Sequence, residues 1–465
     1  MYDTQEPPQE RALLVGLERP GHGKWAVRDS LEELRELAQS AGAEVVDLTS
    51  QKRDAPSAPT FIGSGKAEEL AQQCRETQAD TVIFDDDLSP AQARNLSEIL
   101  GQNVKVLDRT ELILDIFAQR ARTREGKIQV ELAQLQYMLP RLAGLWTHLS
   151  RQRGGIGSRG PGEQQLEVDR RRVMEKISRL RRDLDAVRKN RRIERDGRQR
   201  LHWPLVSIIG YTNSGKSTLM NALTGANVLV EDKLFATLDP TTRKLRLPNN
   251  QNILLSDTVG FLRKLPHQLV ESFKATLEEV AEADLLLHVV DVSTPHAREQ
   301  IKAVEVVLHE IDAWGKPTVV ALNKIDKLDG RTGVPPVSDA EDDGVGRAGP
   351  ARLDGDAADG RLGEPSLPES VVIENFTREL DNAVPISAKN GENLDALLHE
   401  IANRLRGRRV NVTLSIPADK AKTIALVYRS GYVTGRTLDN GKVVLQAQIP
   451  KVLAGELMPY VVEEE

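Results

Sequence analysis

Gly210, Tyr211, Thr212, Asn213, Ser214, Gly215, Lys216 and Ser217 form an octapeptide whose residue types suit a bound polyphosphate. Glycines at its two key positions let the backbone wrap an anion, so that successive N–H groups and a helix N-terminus face the phosphates. Lys216 would reach the β- and γ-phosphates, and the Ser217 hydroxyl would ligate Mg²⁺. The apolar run 205–209 in front of it predicts a buried parallel strand, and 217–223 behind it a helix. A second segment, Asp257, Thr258, Val259 and Gly260, follows a strand-like stretch at 252–256. There Asp257 would hold the metal through water and the Gly260 N–H would sense the terminal phosphate; loss of that contact releases the loop. Asn323, Lys324, Ile325 and Asp326, delivered by the apolar run 317–322, choose the base. The Asp326 carboxylate can accept two hydrogen bonds, from N1–H and the exocyclic amine of guanine, a donor pair that adenine lacks. Ser387, Ala388 and Lys389, after 384–386, add backbone contact to the base.

A fifth segment, Phe235, Ala236, Thr237, Leu238 and Asp239, lies between the first two. Thr237 is the favoured hydroxyl for Mg²⁺ and the γ-phosphate. Thr241 and Thr242 are alternatives, which turn or strand chemistry around Pro240 would otherwise explain. The ordered set reads as a GTP/GDP site, with Lys216, Thr237 and Gly260 as its catalytic residues and Ser217, Thr237 and Asp257 (through water) around Mg²⁺. At position 261, where the best-known small GTPases carry a water-orienting Gln, this chain has Phe261. An aromatic ring can neither donate nor accept that hydrogen bond, so intrinsic hydrolysis is expected to be slow. Asn213 raises K⁺ as a second cofactor: potassium-binding GTPases carry an Asn here, and such a cation can replace an arginine finger electrostatically. A loop-stabilising Asn is the alternative. Gly63, Ser64, Gly65 and Lys66 do not make a second phosphate loop. Thr60 stands where Gly is needed and Ala67 where a hydroxyl is needed, which predicts a turn before a helix over 67–75.

The elements that must position these residues exceed one ordinary core: 465 residues imply about three domains. Residues 1–111 alternate strand-like runs (12–16, 44–47, 81–84, 103–107) with helical patterns (30–41, 90–100), an α/β domain. Ser30 and Glu33 have the spacing of a capping box. Asp85, Asp86 and Asp87 invite a metal, but Ser89 and Pro90 favour a helix start. Over 112–200 the period becomes helical. Ile128, Leu132, Leu135, Leu139 and Leu142 make one seam, and Leu166, Val173, Ile177, Leu180, Leu184 and Val187 a second. Two helices of about 30 residues, projecting roughly 45 Å, are expected to bury these seams as an antiparallel hairpin. The nucleotide domain occupies 201–407, with a Gly-, Pro- and Asp-rich insertion at about 330–370 expected to be disordered. A small α+β domain closes the chain at 408–465, with strands at 410–416 and 442–448 and a helix at 420–428. The fold class is therefore multidomain α/β.

Lys and Arg number 63 against 69 Asp and Glu, a net charge of −6, which excludes a generic nucleic-acid coat. Yet between Arg141 and Arg200 there are 18 Lys and Arg against 8 Asp and Glu. Arg151, Arg153, Arg159, Arg170, Arg171 and Arg172 are the candidate RNA contacts, to backbone and shape rather than to bases. A single cysteine, Cys74, excludes a disulfide scaffold, and no run reaches the length of a membrane span. A polar start without a signal peptide places the chain in the cytoplasm. A monomer is the expectation, with dimerisation through the tail left open.

With the arm, its glycine loop and Phe261 in view, the sequence resembles the HflX family of ribosome-associated GTPases over nearly its whole length. The resemblance is carried by residues 62–66, 109–117, 122–133, 154–163 and 235–243. It implies an N-terminal domain with a long helical arm, a central GTPase domain, Mg²⁺, and binding to the large ribosomal subunit. It also implies splitting of stalled ribosomes during stress, and supports Thr237 as the Mg²⁺-facing threonine. The insertion departs from the compact family pattern. Other readings are a GTPase of ribosome assembly or RNA modification, and a GTP-gated protein-binding scaffold.

Overall fold

The computed structural model describes residues 9–20, 27–101, 103–142, 161–199, 203–225, 234–235, 241–264, 277–328, 369–439 and 441–464. The 330–370 insertion, apart from its last two residues, lies outside them, as do Thr237 and the glycine loop with Arg151, Arg153 and Arg159.

Three sheets organise these residues. The first is parallel, in the order β2-β1-β3-β4, from β1 (Arg11–Glu18), β2 (Glu44–Lys52), β3 (Thr81–Phe84) and β4 (Lys105–Asp108). Helices α1 (Val27–Ala41) and α4 (Arg109–Arg120) cover one face; α2 (Ser64–Thr77) and α3 (Pro90–Leu100) cover the other. Strands buried on both faces need near-continuous apolar runs, which β1 and β3 supply. Ser89 and Gln92 form a capping box that starts α3, so the Asp85–Asp87 run does precede a helix. Ser30 and Glu33 do not form the expected box. Helix α1 begins three residues earlier, at Val27, and both side chains are used elsewhere. Lys66 lies in the first turn of α2 and pairs with Glu69, while Gln51 takes the Gly63 N–H.

Helix α5 (Arg124–Met138) runs 15 residues, half the expected length, and α6 (Pro161–Gln199) runs 39. They pack through Ile128 and Leu132 against Ile177, Leu180 and Leu184, with Leu135, Leu139 and Val173 at the margin. Lys176 adds an ion pair to Glu131.

The second sheet has the order β10-β9-β8-β5-β7-β6. Parallel β5 (Leu205–Gly210), β7 (Asn252–Asp257), β8 (Leu285–Asp291), β9 (Thr318–Asn323) and β10 (Ala383–Pro385) end at one edge, while β6 (Thr241–Arg246) pairs antiparallel to β7. Ligands bind at the carboxyl edge of such a sheet. Every motif that falls on the described residues sits there. The third sheet is antiparallel, β12-β13-β11-β14, from β11 (Arg409–Pro417), β12 (Tyr432–Asp439), β13 (Lys442–Pro450) and β14 (Val461–Glu464). Among the described residues no helix is long and apolar enough to cross a membrane.

Candidate functional site

Strand β5 ends at Gly210, and the chain turns through Gly215 into helix α7 (Lys216–Thr224). Close approach requires glycine at both turns. A Cβ on Gly210 would sit 2.3 Å from the Val289 carbonyl, and one on Gly215 2.2 Å from Asn323 Nδ2, both at positive φ. Lys216 is buried, and its ammonium donates to the carbonyls of Gly210 (3.2 Å) and Tyr211 (2.6 Å). Burial, with Lys324 nearby, lowers its pKa to about 8 against the opposing pull of Asp257. A charge held at that cost is repaid by an anion in the loop. The Thr212 and Ser214 hydroxyls are also buried, without a hydrogen-bond partner among the described residues. Buried hydroxyls are ordinarily paired, so this loop is short of acceptors, which phosphate oxygens would supply.

Ser217 Oγ lies 2.9 Å from Asp257 Oδ2. Two hard oxygens side by side at the head of α7 suit a Mg²⁺ that takes few protein ligands and completes its shell with water and phosphate. Among the described residues no cluster of three or more His, Cys, Asp or Glu competes for a metal. The ion would neutralise charge on the transferred phosphoryl group.

The residues expected to select the base brace one another. Asn323 donates to the Ser214 carbonyl (2.8 Å) and accepts from Ala388 N (3.0 Å), tying the phosphate loop to the last motif. Lys324, at φ 67°, donates to the Asn213 carbonyl (2.6 Å) and pairs with Asp291 (2.7 Å). Ser387 Oγ donates to Asp326 Oδ1 (2.6 Å), which fixes the carboxylate plane. Ile325 is buried, and Lys389 follows Ala388, whose N–H donates to Asn323.

Gly260 presses on the phosphate loop, since a Cβ there would lie 2.9 Å from both Lys216 Nζ and Thr212 Cα. Backbone bonds from Thr212 N to the Phe261 carbonyl (2.8 Å) and from Phe261 N to the Gly210 carbonyl (3.1 Å) zip the two loops together. Thr258 Oγ1 donates to the Ile208 carbonyl (2.6 Å), while Val259 and Leu262 enter the core shared with α1 and α4. Phe261 itself is 2% exposed, packed with Leu277, Val280 and Val304. It is a core residue as well as a missing glutamine. Phe261→Gln is therefore expected to bury an unpartnered amide, to destabilise the fold by about 3 kcal/mol in urea titration, and to leave single-turnover GTP hydrolysis no faster. Faster turnover at unchanged stability would overturn this.

Sequence reasoning missed the polar bridge from this site to the first sheet. Tyr211 Oη donates to Glu33 Oε2 and accepts from Arg263 N, both at 3.0 Å. Arg109, 2% exposed, is clasped by Glu33 and by Asp85 (2.7 Å). Burial opposes its charge, but the two carboxylates outweigh that and hold its pKa above the ordinary value. Lys264 then pairs with Asp85 (2.6 Å) and Asp86 (2.9 Å). Phe235 packs edge-on against Phe117 at 4.7 Å, and Leu234 N donates to Ser40 Oγ. Leu234 and Phe235, and residues 259–264 beside the phosphate loop, are thus held by α1, α4 and the turn after β3. The only sequence signals were Asp85–Asp87 after a strand and apolar residues beside the motifs. Asp85→Asn is expected to cost about 3 kcal/mol, the low end for breaking a buried pair because Arg109 keeps Glu33. It is also expected to raise the hydrogen exchange of residues 259–264 while leaving β12 and β13 unchanged. Uniform exchange across both regions would contradict it.

Sheet order, phosphate loop, metal-side pair and base loop define a P-loop GTPase. Four family profiles match in chain order: GTP-binding GTPase N-terminal (residues 28–118), GTP-binding GTPase middle region (120–198), 50S ribosome-binding GTPase (205–324) and HflX C-terminal domain (373–459). GTPase HflX of Lacrimispora saccharolytica is 42% identical over 449 residues, 97% of this chain and 96% of that protein. GTPase HflX of Caldanaerobacter subterraneus subsp. tengcongensis is 54% identical over 321 residues, 69% of this chain and 74% of that protein. Among solved structures, a GTP-binding protein from the hyperthermophilic archaeon Sulfolobus solfataricus in complex with GDP matches at 25% identity. That match has a TM-score of 0.42 and covers 85% of this chain and 98% of the other. The chain belongs to the HflX family of GTPases.

Proposed function

We propose that this GTPase docks on the large ribosomal subunit in its GTP state, splits stalled ribosomes under stress, and is returned to the GDP state by ribosome-stimulated hydrolysis. The observation that carries the reading is Phe261, locked in the core where a water-orienting side chain would stand. An active site without that group waits for one supplied in trans, an addition worth up to about 10⁵-fold in GTPases. A profile described as a 50S ribosome-binding GTPase points to the donor. In this reading Lys216, Thr237 and Gly260 meet the γ-phosphate, and Ser217, Thr237 and Asp257 serve Mg²⁺. Asp326, braced by Ser387, reads guanine. The domains run 1–111, 112–200, 201–407 and 408–465, and the protein acts as a cytoplasmic monomer.

Docking falls to the second of these. Arg170, Arg171 and Arg172 are exposed on α6, and their pairs to Asp169 and Glu175 are long surface contacts of 3.6–3.7 Å that phosphates can displace. In this reading Arg151, Arg153 and Arg159, which precede α6 in the sequence, join them. The test is sedimentation with 50S subunits and with 70S ribosomes in a non-hydrolysable GTP analogue and in GDP, with phosphate release measured in parallel. Pelleting in the analogue alone, with 70S particles converted to subunits and faster release, is expected. Equal release with and without ribosomes would sink the proposal. Repeating the release assay in KCl and NaCl decides whether Asn213 serves a K⁺ ion.

A further inference from the structure

Far from the phosphate loop, the second and third sheets meet at a cleft of about 510 Å³. That volume lies within the range of ligand clefts, about 300–1,000 Å³. One wall is the exposed edge strand β6, the turn after it and the start of β7, with Lys244, Arg246, Asn250 and Asn252. The other is helix α8 (Ala421–Ser430) and the start of β12, with Tyr428 and Tyr432. Among the described residues no carboxylate lines it, in a chain whose net charge is −6. Among the described residues neither Lys244 nor Arg246 pairs with an acid. Lys244 instead rests its ammonium 4.4 Å from the centre of the Trp203 ring. Trp203 Nε1 in turn donates to the Arg429 carbonyl (3.4 Å), bracing the two walls. Tyr428 is 47% exposed, an aromatic face left in solvent beside two cations.

Cations that track a backbone, aromatic rings that stack bases and amides that meet base edges are the parts of a single-strand binding groove. We infer that this cleft binds single-stranded RNA, seating an unpaired base on Tyr428 with the adjoining phosphates at Lys244 and Arg246. A duplex does not fit the proposal, because its bases are stacked on one another and unavailable to the ring. An acidic peptide would use the cations and leave the tyrosines idle. The site is independent of α6 and of ribosome docking.

The test is fluorescence anisotropy of the full chain with a labelled oligouridylate octamer, GTP in excess, against a duplex of equal length and an oligoglutamate peptide. Tyr428→Ala is expected to weaken octamer binding about 5- to 150-fold and Tyr428→Phe to restore it, since stacking needs the ring and not the hydroxyl. Lys244→Ala with Arg246→Ala is expected to reduce the slope of log K against log salt by about 1.4. An Arg170→Ala, Arg171→Ala, Arg172→Ala variant is expected to keep octamer affinity. Basal GTP hydrolysis in the Tyr428 and Lys244–Arg246 variants reports that their fold is intact. Octamer binding that survives the cleft variants, duplex binding as tight as the octamer, or displacement by the peptide would each overturn the inference.

Discussion

Asp326→Ala is expected to erase about 10⁴-fold of the preference for GTP over ATP, most of it through lost affinity for GTP. The carboxylate is braced rather than loose: Ser387 Oγ donates to Oδ1, and the Ser387 hydroxyl itself accepts from Asn390 N at 3.1 Å. That relay holds the plane in which N1–H and the exocyclic amine must arrive, so the two hydrogen bonds cost little ordering when guanine binds. Alanine leaves both guanine donors without acceptors inside the protein, the arrangement that penalises a ligand most. Asp326→Asn sharpens the prediction. Its amide can still accept from N1–H but now donates, and so it suits a base with a carbonyl at position 2. Xanthosine triphosphate is expected to bind the Asn variant better than GTP does. Calorimetric titration with GTP, ATP and xanthosine triphosphate measures all three, and wild-type GTP affinity in the Ala variant would remove Asp326 from the base site.

How much of this could be read beforehand follows from the range of the interactions involved. The phosphate loop, the Asp257 edge and the base loop were legible because each is a local device: strand, turn and helix N-terminus within one short stretch. Strand 81–84 and helix 90–100 were legible for the same reason, the first from an apolar run and the second from Ser89 and Pro90. Helix α1 was misplaced because the Ser30–Glu33 spacing mimics a cap. Only the fold shows that Ser30 reaches Asp85 and that Glu33 reaches Arg109 and Tyr211. Those pairs span 55 to 178 residues, and no spacing rule connects them. Phe261 shows the mixed case. Its meaning as an absent glutamine was legible, but its place in the core beside Leu277 and Val304 depends on segments that meet only after folding.

Lys216→Met separates the two demands on the phosphate loop, and the effects run in opposite directions. Without nucleotide and magnesium, the Met variant is expected to be more stable than the native chain at pH 7, by about 3 kcal/mol. The lysine's folded-state pKa, about 8, lies below its ordinary value of 10.5 because burial disfavours the charge. Between those pH values the unfolded chain holds a proton that the folded chain has released, so native stability rises with pH across that window. Below about pH 8 both states are protonated and the penalty is constant; above 10.5 it is gone. The stability gap between variant and native chain should therefore be widest below pH 8 and close as pH passes 10.5. Methionine fills a similar volume, and the carbonyls it abandons keep backbone donors, from Phe261 N at Gly210 and from Ser214 N at Tyr211. Binding moves the other way. Removing one partner of a buried charge pair costs about 2–5 kcal/mol, so GTP affinity should fall by roughly 30- to 4,000-fold and the thermal shift on adding GTP should vanish. Chemical denaturation of both proteins at pH 7 and pH 10.5, with and without GTP, reads both effects. A Met variant less stable than the native chain at pH 7 would mean that Lys216 holds the loop together, rather than holding it ready at a cost in stability that the phosphates relieve.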